Sequence, residues 1–314
     1  LFSLNIFKER LFFYTMALKE IEKSKDGTTK LIFDDGYHCV IIPQKNGKKT
    51  LCVSSQVGCA MGCEFCLTAK MGFMRNLTSE EIVEQFEEAL KYLQAEDVIS
   101  KQRTKSDLGY AHNHITAMVY MGMGEPLNNY SNVEKSIEYL HEQYSYPYRK
   151  ITVSTSGIVP AMKKFIQKDW KVHLALSFHS PFQETRDFLM PYLSKWKIPE
   201  LVEVCNSYSD KFRDKIMVEY IMIKGLTDRE EDLEKLLDLG FVNMTNFNLI
   251  PLNGHMDLHG KRFYASDDET CDRFRVTLMN NGFKCFVRRN MGEDIDAACG
   301  MLNSPEENIA TKNS

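Results

Sequence analysis

The sequence lacks any long hydrophobic run and has little excess charge. No apolar stretch in the 314 residues approaches the ~20 residues that a membrane-spanning helix needs. The apolar opening is interrupted by Lys8, Glu9 and Arg10, which excludes a secretory signal core. The formal net charge of −4 neither favours nor excludes nucleic-acid binding. We therefore expect a soluble, cytoplasmic protein without a membrane partner.

Low-complexity tracts and fixed-period repeats are also missing. Hydrophobic residues at 43% and charged residues at 26% are globular values, which excludes global disorder. Nine cysteines, an odd number without a signal peptide, argue against a secreted disulfide framework. The cysteines are unevenly placed, because three crowd into one short stretch at Cys59, Cys63 and Cys66. We interpret four scattered ones as ordinary buried thiols: Cys39, Cys205, Cys271 and Cys285.

Apolar residues near the amino terminus recur at helical spacing, which predicts a docked amphipathic helix: Phe7, Leu11, Tyr14, Leu18 and Ile21. Residues 30–43 predict a β-hairpin that turns at Asp35 and Gly36. Residues 50–56 predict the next strand. A helix follows, with a capping box formed by Thr78 and Glu81, and residues 95–113 predict an exposed connection.

Strands and helices then alternate through about six βα units. In this region Ser131 and Glu134 predict a second capping box. The strands are mostly apolar, which favours a parallel sheet curled into a partial (β/α)6 barrel, an α/β fold. Glycine-rich or polar stretches follow five of the strands: VGCAMGC, GMGEP, STSG, SFHS and PLNG. The loops after parallel strands converge on one face of a barrel, so we expect the functional site there.

We expect three regions along the chain. Residues 1–45 form an amino-terminal extension of helix and hairpin. Residues 46–303 form the barrel core, and residues 304–314 form a flexible tail.

The stretch CAMGCEFC places three thiols at positions i, i+4 and i+7. Thiolates so close together favour a metal centre. Structural zinc usually takes four ligands, and no second cysteine pair is present; the nearest thiol, Cys52, lies on a predicted strand. A cubane iron–sulfur cluster held by three cysteines leaves one iron open to a substrate. The spacing therefore favours a cluster, with a zinc-binding module or a degenerate paralogue as the alternative.

The CxxxCxxC spacing is similar to that of the radical S-adenosylmethionine (SAM) superfamily. The resemblance is closest to the RlmN/Cfr family of RNA (adenine) methyltransferases, and it rests on six motifs in order: CVSSQVGCAMGCEFC, MGMGEPLNN, VSTSGIVP, SFHSP, NLIPLN and DIDAACG. It covers approximately residues 30–303. It implies a [4Fe–4S] cluster, SAM as cofactor, and reductive cleavage of SAM to a 5′-deoxyadenosyl radical.

The resemblance also assigns roles to particular residues. It implies that Cys59, Cys63 and Cys66 bind the cluster. It implies that SAM is held by residues whose carboxylate, hydroxyl, imidazole and amide groups suit its ammonium, ribose, carboxylate and adenine: Gly124, Glu125, Ser154, Ser177, Phe178, His179 and Asn253.

Two further cysteines take chemical roles in this family. The resemblance implies that Cys299 accepts a methyl group from one SAM as a thiolate nucleophile. The S-methyl group is then activated by the radical from a second SAM and adds to an adenine carbon. The resulting protein–RNA adduct is resolved by Cys52 through a transient disulfide with Cys299.

The sequence departs from the family in two places. Only about thirty residues precede the hairpin, so we expect the family's helical accessory domain for RNA to be absent. The family's glutamate general base aligns with His38, which could accept a proton near neutral pH or could be a surface residue.

The resemblance implies an RNA substrate (rRNA or tRNA) and a reductant such as flavodoxin. It leaves open the target nucleotide, carbon 2 or carbon 8 of adenine, and the oligomeric state. A different radical SAM enzyme that acts on a protein or a small molecule is the alternative function.

Overall fold

The computed structural model describes residues 18–44, 47–99, 111–288 and 290–302. The strands, numbered β1 to β14 in chain order, are Leu18–Lys23, Thr29–Phe33, His38–Pro43, Lys49–Cys52, Gln56–Gly58, Phe73–Asn76, Ala117–Tyr120, Ile151–Thr155, His173–Ser177, Ile216–Met222, Thr245–Pro251, His255–Leu258, Lys261–Tyr264 and Lys284–Val287. The α-helices, numbered α1 to α9, are Leu67–Lys70, Ser79–Ile99, Ala111–His114, Tyr130–Tyr144, Val159–Gln167, Gln183–Leu189, Ile198–Phe212, Glu230–Leu237 and Asp268–Asn280.

Ten strands form one sheet, in the order β1-β2-β3-β4-β7-β8-β9-β10-β11-β14. In this order, each neighbouring pair from β1 to β4 is antiparallel. Each neighbouring pair from β4 onward (β4-β7-β8-β9-β10-β11-β14) is parallel. Among the described strands, β1 and β14 lie at opposite ends of the sheet and do not pair with each other. The sheet is therefore an open, partial barrel of alternating strands and helices, as predicted.

The core lies on both faces of the parallel strands. Leu174, Val218 and Phe247 from three neighbouring strands are fully buried. Parallel strands of this kind are covered by helices on one face and by the barrel interior on the other, which explains their near-continuous apolar sequences. None of the helices in the described ranges is long and apolar enough to cross a membrane.

The amino-terminal helix prediction is wrong where the structure tests it. Leu18 and Ile21 belong to β1, which pairs antiparallel with β2, and Ile21 is 42% exposed. The hydrogen bonds that make β1 a strand come from β2, which lies beyond the apolar pattern that ends at Ile21. The periodicity of that pattern therefore does not reveal the pairing. The rest of the predicted helix and the predicted tail at 304–314 lie outside the described residues.

The predicted hairpin and the first capping box are confirmed. β2 and β3 pair antiparallel, and Gly36 in the turn has φ 77°. Thr78 Oγ1 accepts the Glu81 N–H at 3.2 Å, and the Glu81 carboxylate accepts the Thr78 N–H at 2.7 Å. The second capping box is wrong, because α4 begins at Tyr130, directly after a 3₁₀ turn, and Ser131 already lies in its first turn.

Two other boundaries differ from prediction. α2 continues to Ile99, and α3 forms at Ala111–His114, so parts of the predicted connection at 95–113 are helical. The remaining part, residues 100–110, lies outside the described residues. β12 and β13 form an antiparallel hairpin that the sequence analysis did not predict.

Candidate radical SAM site

One cavity opens at the carboxyl ends of the parallel strands. It is lined by the predicted site residues Cys52, Cys59, Cys63, Cys66, Gly124, Glu125, Ser154, Ser177, His179, Asn253 and Cys299, and also by Glu219 and Arg288. The loops after β4, β7, β8, β9 and β11 therefore meet as predicted. Two predicted residues, Phe178 and His38, are not among the lining residues.

The loop that carries the three cysteines, residues 59–66 (the cysteine loop), is held in place by backbone contacts at both ends. Gly58, just before it, has φ 71°, and a Cβ there would lie 1.9 Å from the carbonyl oxygen of Gly72. The Cys59 N–H donates to the same Gly72 carbonyl at 2.9 Å. Farther along, the Glu64 N–H donates to the carbonyl of Leu189 at 3.0 Å. The close approach at Gly58 allows only glycine, and the loop is thereby fixed against the barrel rim.

The three thiols of this loop are close enough to affect one another electrostatically. Burial raises the pKa of the Cys59 thiol to about 12, and charge on Cys66 adds to the rise. Burial also raises the pKa of Cys63, with charge on Cys66 and Cys59 adding to it. A bound metal would stabilise the thiolates directly and so oppose this rise.

Glu125 is a buried carboxylate at the cavity wall. Its Oε2 accepts hydrogen bonds from the backbone N–H and the hydroxyl of Ser156, both at 2.7 Å, and its Oε1 accepts the Leu127 N–H at 3.0 Å. Burial raises the pKa of Glu125, while these donors oppose the rise. The preceding Gly124 has φ 98°, and a Cβ there would lie 2.5 Å from Cβ of Gln56. The glycine turn therefore fixes a carboxylate that can receive an ammonium group.

His179 lines the cavity as a neutral imidazole. Burial, together with the charge of Arg186, lowers its pKa to about 3. Its Nδ1 accepts the Ile221 N–H at 3.1 Å, so the remaining ring proton is on Nε2. The adjacent Phe178 instead points into the core, where its ring packs edge-on against Phe241 at 5.5 Å.

Arg186 supports the loops beside His179. Its guanidinium donates to the carbonyls of Ser177 at 3.0 Å, Phe178 at 2.7 Å and Ser156 at 2.6 Å. Burial lowers its pKa to about 10, and charge on Cys63 opposes that change. This cation ties together the loops after β8 and β9.

Cys52 and Cys299, far apart in sequence, line the same cavity. Burial raises the pKa of Cys52 to about 12, and charge on Cys299 adds to the rise. Asn253 Nδ2 donates to the backbone carbonyl of Cys299 at 2.6 Å. Both cysteines are free thiols in the structure.

Arg288 and Glu219 are site residues that the sequence analysis missed. The pKa of Arg288 is raised by charge on Cys299, with Glu219 and Cys52 contributing in the same direction. Glu219 is buried in the middle of β10, where its carboxylate accepts the Asn248 side-chain N–H at 2.7 Å. Their sequence signals were a charged residue inside an apolar strand and an arginine directly after the last strand.

His38 lies on β3 and is 1% exposed. Within the described part of the chain, neither of its ring nitrogens has a hydrogen-bond partner. Burial, with a smaller contribution from the charge of Lys30, lowers its pKa to about 3. Its carbonyl accepts the hydroxyl of Ser54, just beyond the end of β4, at 2.6 Å. His38 is therefore a buried neutral imidazole beside the rim of the barrel rather than a surface residue.

Comparison with known proteins identifies the family. The family model "Radical SAM superfamily" matches residues 53–239. The chain is 40% identical over 295 residues to the dual-specificity RNA methyltransferase RlmN of Bdellovibrio bacteriovorus. The aligned region covers 92% of this chain and 68% of that protein. It is 39% identical to the RlmN of Desulfosudis oleivorans, over 91% of this chain and 74% of that protein. The chain belongs to the RlmN family of radical SAM proteins.

A solved structure agrees with this assignment. The crystal structure of a radical SAM methyltransferase from Sphaerobacter thermophilus matches with a TM-score of 0.81 and 34% sequence identity. The match covers 96% of this chain and 85% of that one. The open barrel is thus that of the radical SAM fold.

The cofactors of this superfamily are a [4Fe–4S] cluster and SAM, and the residues present fit both. Cys59, Cys63 and Cys66 supply three soft thiolates to one cavity. In the described ranges, no group of three or more His, Cys, Asp or Glu side chains is placed to hold a single metal ion. Cluster ligands bind separate irons and need not converge on one point. For SAM, the buried Asn253 Oδ1 has no partner among the described residues, so it can accept a ligand hydrogen bond.

Proposed function

We propose that this protein is a radical SAM RNA methyltransferase that delivers a methyl-derived carbon through Cys299 to an adenine carbon of RNA. Relatives at about 40% identity are named dual-specificity RNA methyltransferases. The observation that carries the finer proposal is that Cys52 and Cys299 line the same cavity as the cysteine triplet. A radical SAM enzyme of another kind needs neither of these two thiols.

The cofactor roles follow from the chemistry of the cavity. We assign the cluster to Cys59, Cys63 and Cys66, and the cluster supplies the electron for reductive cleavage of SAM. Glu125 would accept hydrogen bonds from the ammonium group of bound SAM, and the Asn253 amide oxygen and the neutral His179 would offer an acceptor and an Nε2–H donor. Phe178 does not line the cavity: its side chain lies in the core and its carbonyl accepts from Arg186, so we assign it no contact with SAM.

Cys299 acts as the methyl acceptor in this proposal. A thiolate, not a thiol, displaces the methyl group, so the nucleophile needs a cation nearby. Arg288 is that cation, since its electrostatic interaction with Cys299 is the largest of those that raise its own pKa. Cys52, with its pKa raised by burial to about 12, is held as a thiol until the adduct has to be resolved.

His38 is the proposed base that removes a proton from the adenine adduct. Its free ring nitrogens and neutral state support this role. The lowered pKa of about 3 makes it a weak base in the environment described, so proton removal requires the RNA to change that environment.

The remaining partners are also proposals. The substrate is an RNA, rRNA or tRNA, whose adenine is flipped out of its stack to reach the cavity. A reductant such as flavodoxin supplies the electrons. The nine free thiols suit a reducing compartment, which supports a cytoplasmic location.

The test is incubation of anaerobically reconstituted protein with RNA, methyl-labelled SAM and a reductant, followed by nucleoside analysis. Labelled methyladenosine, with an S-methyl group on Cys299 found by mass spectrometry, is the expected result. The Cys299→Ala variant should retain iron and lose the product. Methylation that continues in Cys299→Ala contradicts the proposal.

A further inference from the structure

Cys299 lies in a segment that is held against the other end of the chain. We call residues 292–302 the cysteine segment and residues 24–28, between β1 and β2, the β1–β2 turn. The two regions are separated by 266 residues at one of their contacts, the hydrogen bond from Gly292 to Asp26. The proposed mechanism gives the β1–β2 turn no role.

Each region contributes one aspartate that accepts a backbone N–H of the other. Asp26 Oδ2 accepts the Gly292 N–H at 2.8 Å. In return, Asp294 accepts the Ser24 hydroxyl at 2.6 Å on Oδ1 and the Lys25 N–H at 3.3 Å on Oδ2. Hydrogen bonds to ionised acceptors are stronger than those between neutral groups, so this reciprocal pair fixes one segment on the other.

The charge on Asp26 is held in place by the same contacts. Burial opposes its ionisation, yet the N–H groups of Thr28 and Gly292 lower its pKa to about 2. The two backbones also approach closely, because a Cβ on Gly292 would lie 2.9 Å from Cγ2 of Thr28. Gly292 has φ 72°, a conformation that other residues rarely adopt. The contact is therefore tightly packed as well as hydrogen-bonded.

A lysine adds a third connection to the cysteine segment. Lys30, the second residue of β2, donates to the carbonyl of Ile295 at 2.5 Å and forms an ion pair with Glu22 at 2.6 Å. Its side chain is 9% exposed, so the ammonium group is buried between the extension and the segment. A buried cation with two partners is costly to displace.

The far end of the cysteine segment is anchored to α1, which directly follows the cysteine loop. The Leu67 N–H donates to the carbonyl of Gly300 at 2.7 Å, and the Thr68 hydroxyl donates to the carbonyl of Leu302. Both donors belong to α1, whose N-cap is Cys66. Cys299 thus lies between an anchor on the cluster side and an anchor on the amino-terminal side.

We propose that the β1–β2 turn is a positioning element for Cys299, with Asp26 and Asp294 as positioning residues. The amino-terminal anchor limits how far the cysteine segment can move and so keeps the sulfur within reach of the cavity. This inference rests on the proposed function only for the methyl-carrying role of Cys299. The contacts themselves are independent of that role.

The test compares Asp26→Ala and Asp26→Asn with wild type. Asp26→Asn retains one acceptor oxygen but directs an NH₂ group at one of the two N–H donors, so its effect should be intermediate. Asp267→Asn is the matched control, because Asp267 also accepts a backbone N–H, that of Thr270, at a helix N-terminus away from the cavity. The first measurement uses iron-free protein and records amide hydrogen exchange of residues 290–302 and the rate of Cys299 alkylation by iodoacetamide.

We expect Asp26→Ala to accelerate alkylation of Cys299 roughly tenfold relative to Cys63, as fits the loss of one hydrogen bond to a charged acceptor. Exchange in residues 290–302 should rise with it, and Asp267→Asn should match wild type. In the reconstituted enzyme, Asp26→Ala should slow S-methylation of Cys299 while iron content and the KM for RNA stay unchanged. A general loss of folding would instead change exchange across all strands.

Unchanged alkylation and exchange in Asp26→Ala would overturn the positioning role. Faster alkylation with undiminished S-methylation would also overturn it, because the anchor would then not serve the sulfur. If wild type itself forms no S-methyl group on Cys299, the proposed function fails, and the alkylation and exchange results still report on the anchor.

Discussion

The side-chain amide of Asn253 donates a hydrogen bond to the backbone carbonyl of Cys299 at 2.6 Å, while its Oδ1 has no partner in the described chain. One amide thus joins the loop after β11 to the proposed methyl carrier and leaves an acceptor for a ligand. The sequence analysis predicted that Asn253 binds SAM but did not predict its hydrogen bond to Cys299.

Substitution of Asn253 should separate its hydrogen bond to Cys299 from its contact with SAM. Asn253→Asp keeps the acceptor oxygen but places a second oxygen against the Cys299 carbonyl, and the repulsion should displace the cysteine segment. We expect SAM affinity within about threefold of wild type and S-methylation of Cys299 reduced roughly tenfold. Asn253→Ala should reduce both SAM affinity and S-methylation of Cys299. Equilibrium dialysis with labelled SAM and mass spectrometry of the Cys299 peptide measure the two effects, and equal losses in Asn253→Asp would contradict the separation.

Glu125 is expected to control SAM binding without affecting iron. Glu125→Gln removes the charge that attracts the ammonium group and turns an NH₂ group towards a donor, Leu127 or Ser156. SAM affinity should fall about tenfold or more, the range for a buried charge-assisted hydrogen bond. Isothermal titration of the reconstituted protein gives the affinity, and iron analysis gives the loading. Glu134→Gln, which alters a partner of Lys168 remote from the cavity, is the control; loss of iron in Glu125→Gln would assign Glu125 to the cysteine loop instead.

Arg288 should support methylation of Cys299 as the positive charge that interacts with it. Arg288→Met removes this cation from beside the attacking sulfur, so the rate should fall roughly tenfold or more. Arg288→Lys keeps a positive charge and should keep most of the rate. Single-turnover S-methylation of Cys299 is the measurement.

The buried Glu219 needs a control in the same experiment, because Arg288→Met leaves its carboxylate without that cation. The double variant Arg288→Met with Glu219→Gln removes the unpaired charge. If the double variant methylates Cys299 like wild type, the loss in Arg288→Met came from Glu219 and not from the thiolate.

His38 can be tested against the family's glutamate. His38→Ala should let the covalent protein–RNA adduct accumulate, seen as a shifted band on denaturing gels. His38→Glu should release the adduct at least as fast as wild type, because burial, the larger effect at this position, raises the pKa of a carboxyl and makes it a stronger base, which the charge of Lys30 only partly opposes. In the RNA-free protein burial lowers the pKa of His38 to about 3, so its imidazole should be neutral across the working range. Adduct release unaffected by His38→Ala would remove His38 from the mechanism.

The alternating strands and helices were predictable because each parallel strand is an apolar run followed by a turn sequence. The convergence of Cys66, Glu125 and His179 followed from the same topology. β1 was not predictable, because its pairing with β2 overrides a helical pattern. Arg288 and Glu219 become recognisable only when the fold brings β10 and the end of β14 to one cavity. In the sequence each is a single charged residue, and nothing there shows which residue it would interact with. The anchor of the cysteine segment joins residues 266 apart for the same reason.

Glu84 gives a stability prediction that is separate from the cavity. Burial raises the pKa of this α2 carboxyl to about 7, with charge on Glu88 adding to the rise, while the hydrogen bond from the Tyr37 hydroxyl opposes it. The folded protein therefore binds the proton more tightly than the unfolded chain, whose value is near 4.5. Its stabilising contribution is complete below that value and is lost as pH rises through about 7.

Glu84→Gln mimics the protonated form at every pH. Its melting temperature should exceed that of wild type by a few degrees at about pH 8 and match it at about pH 5. Thermal unfolding followed by circular dichroism at both pH values measures the difference, with Glu80→Gln on the same helix as the control. A gain of equal size at both pH values would mean that the glutamine stabilises α2 for reasons other than the proton, because only titration of Glu84 makes the difference depend on pH.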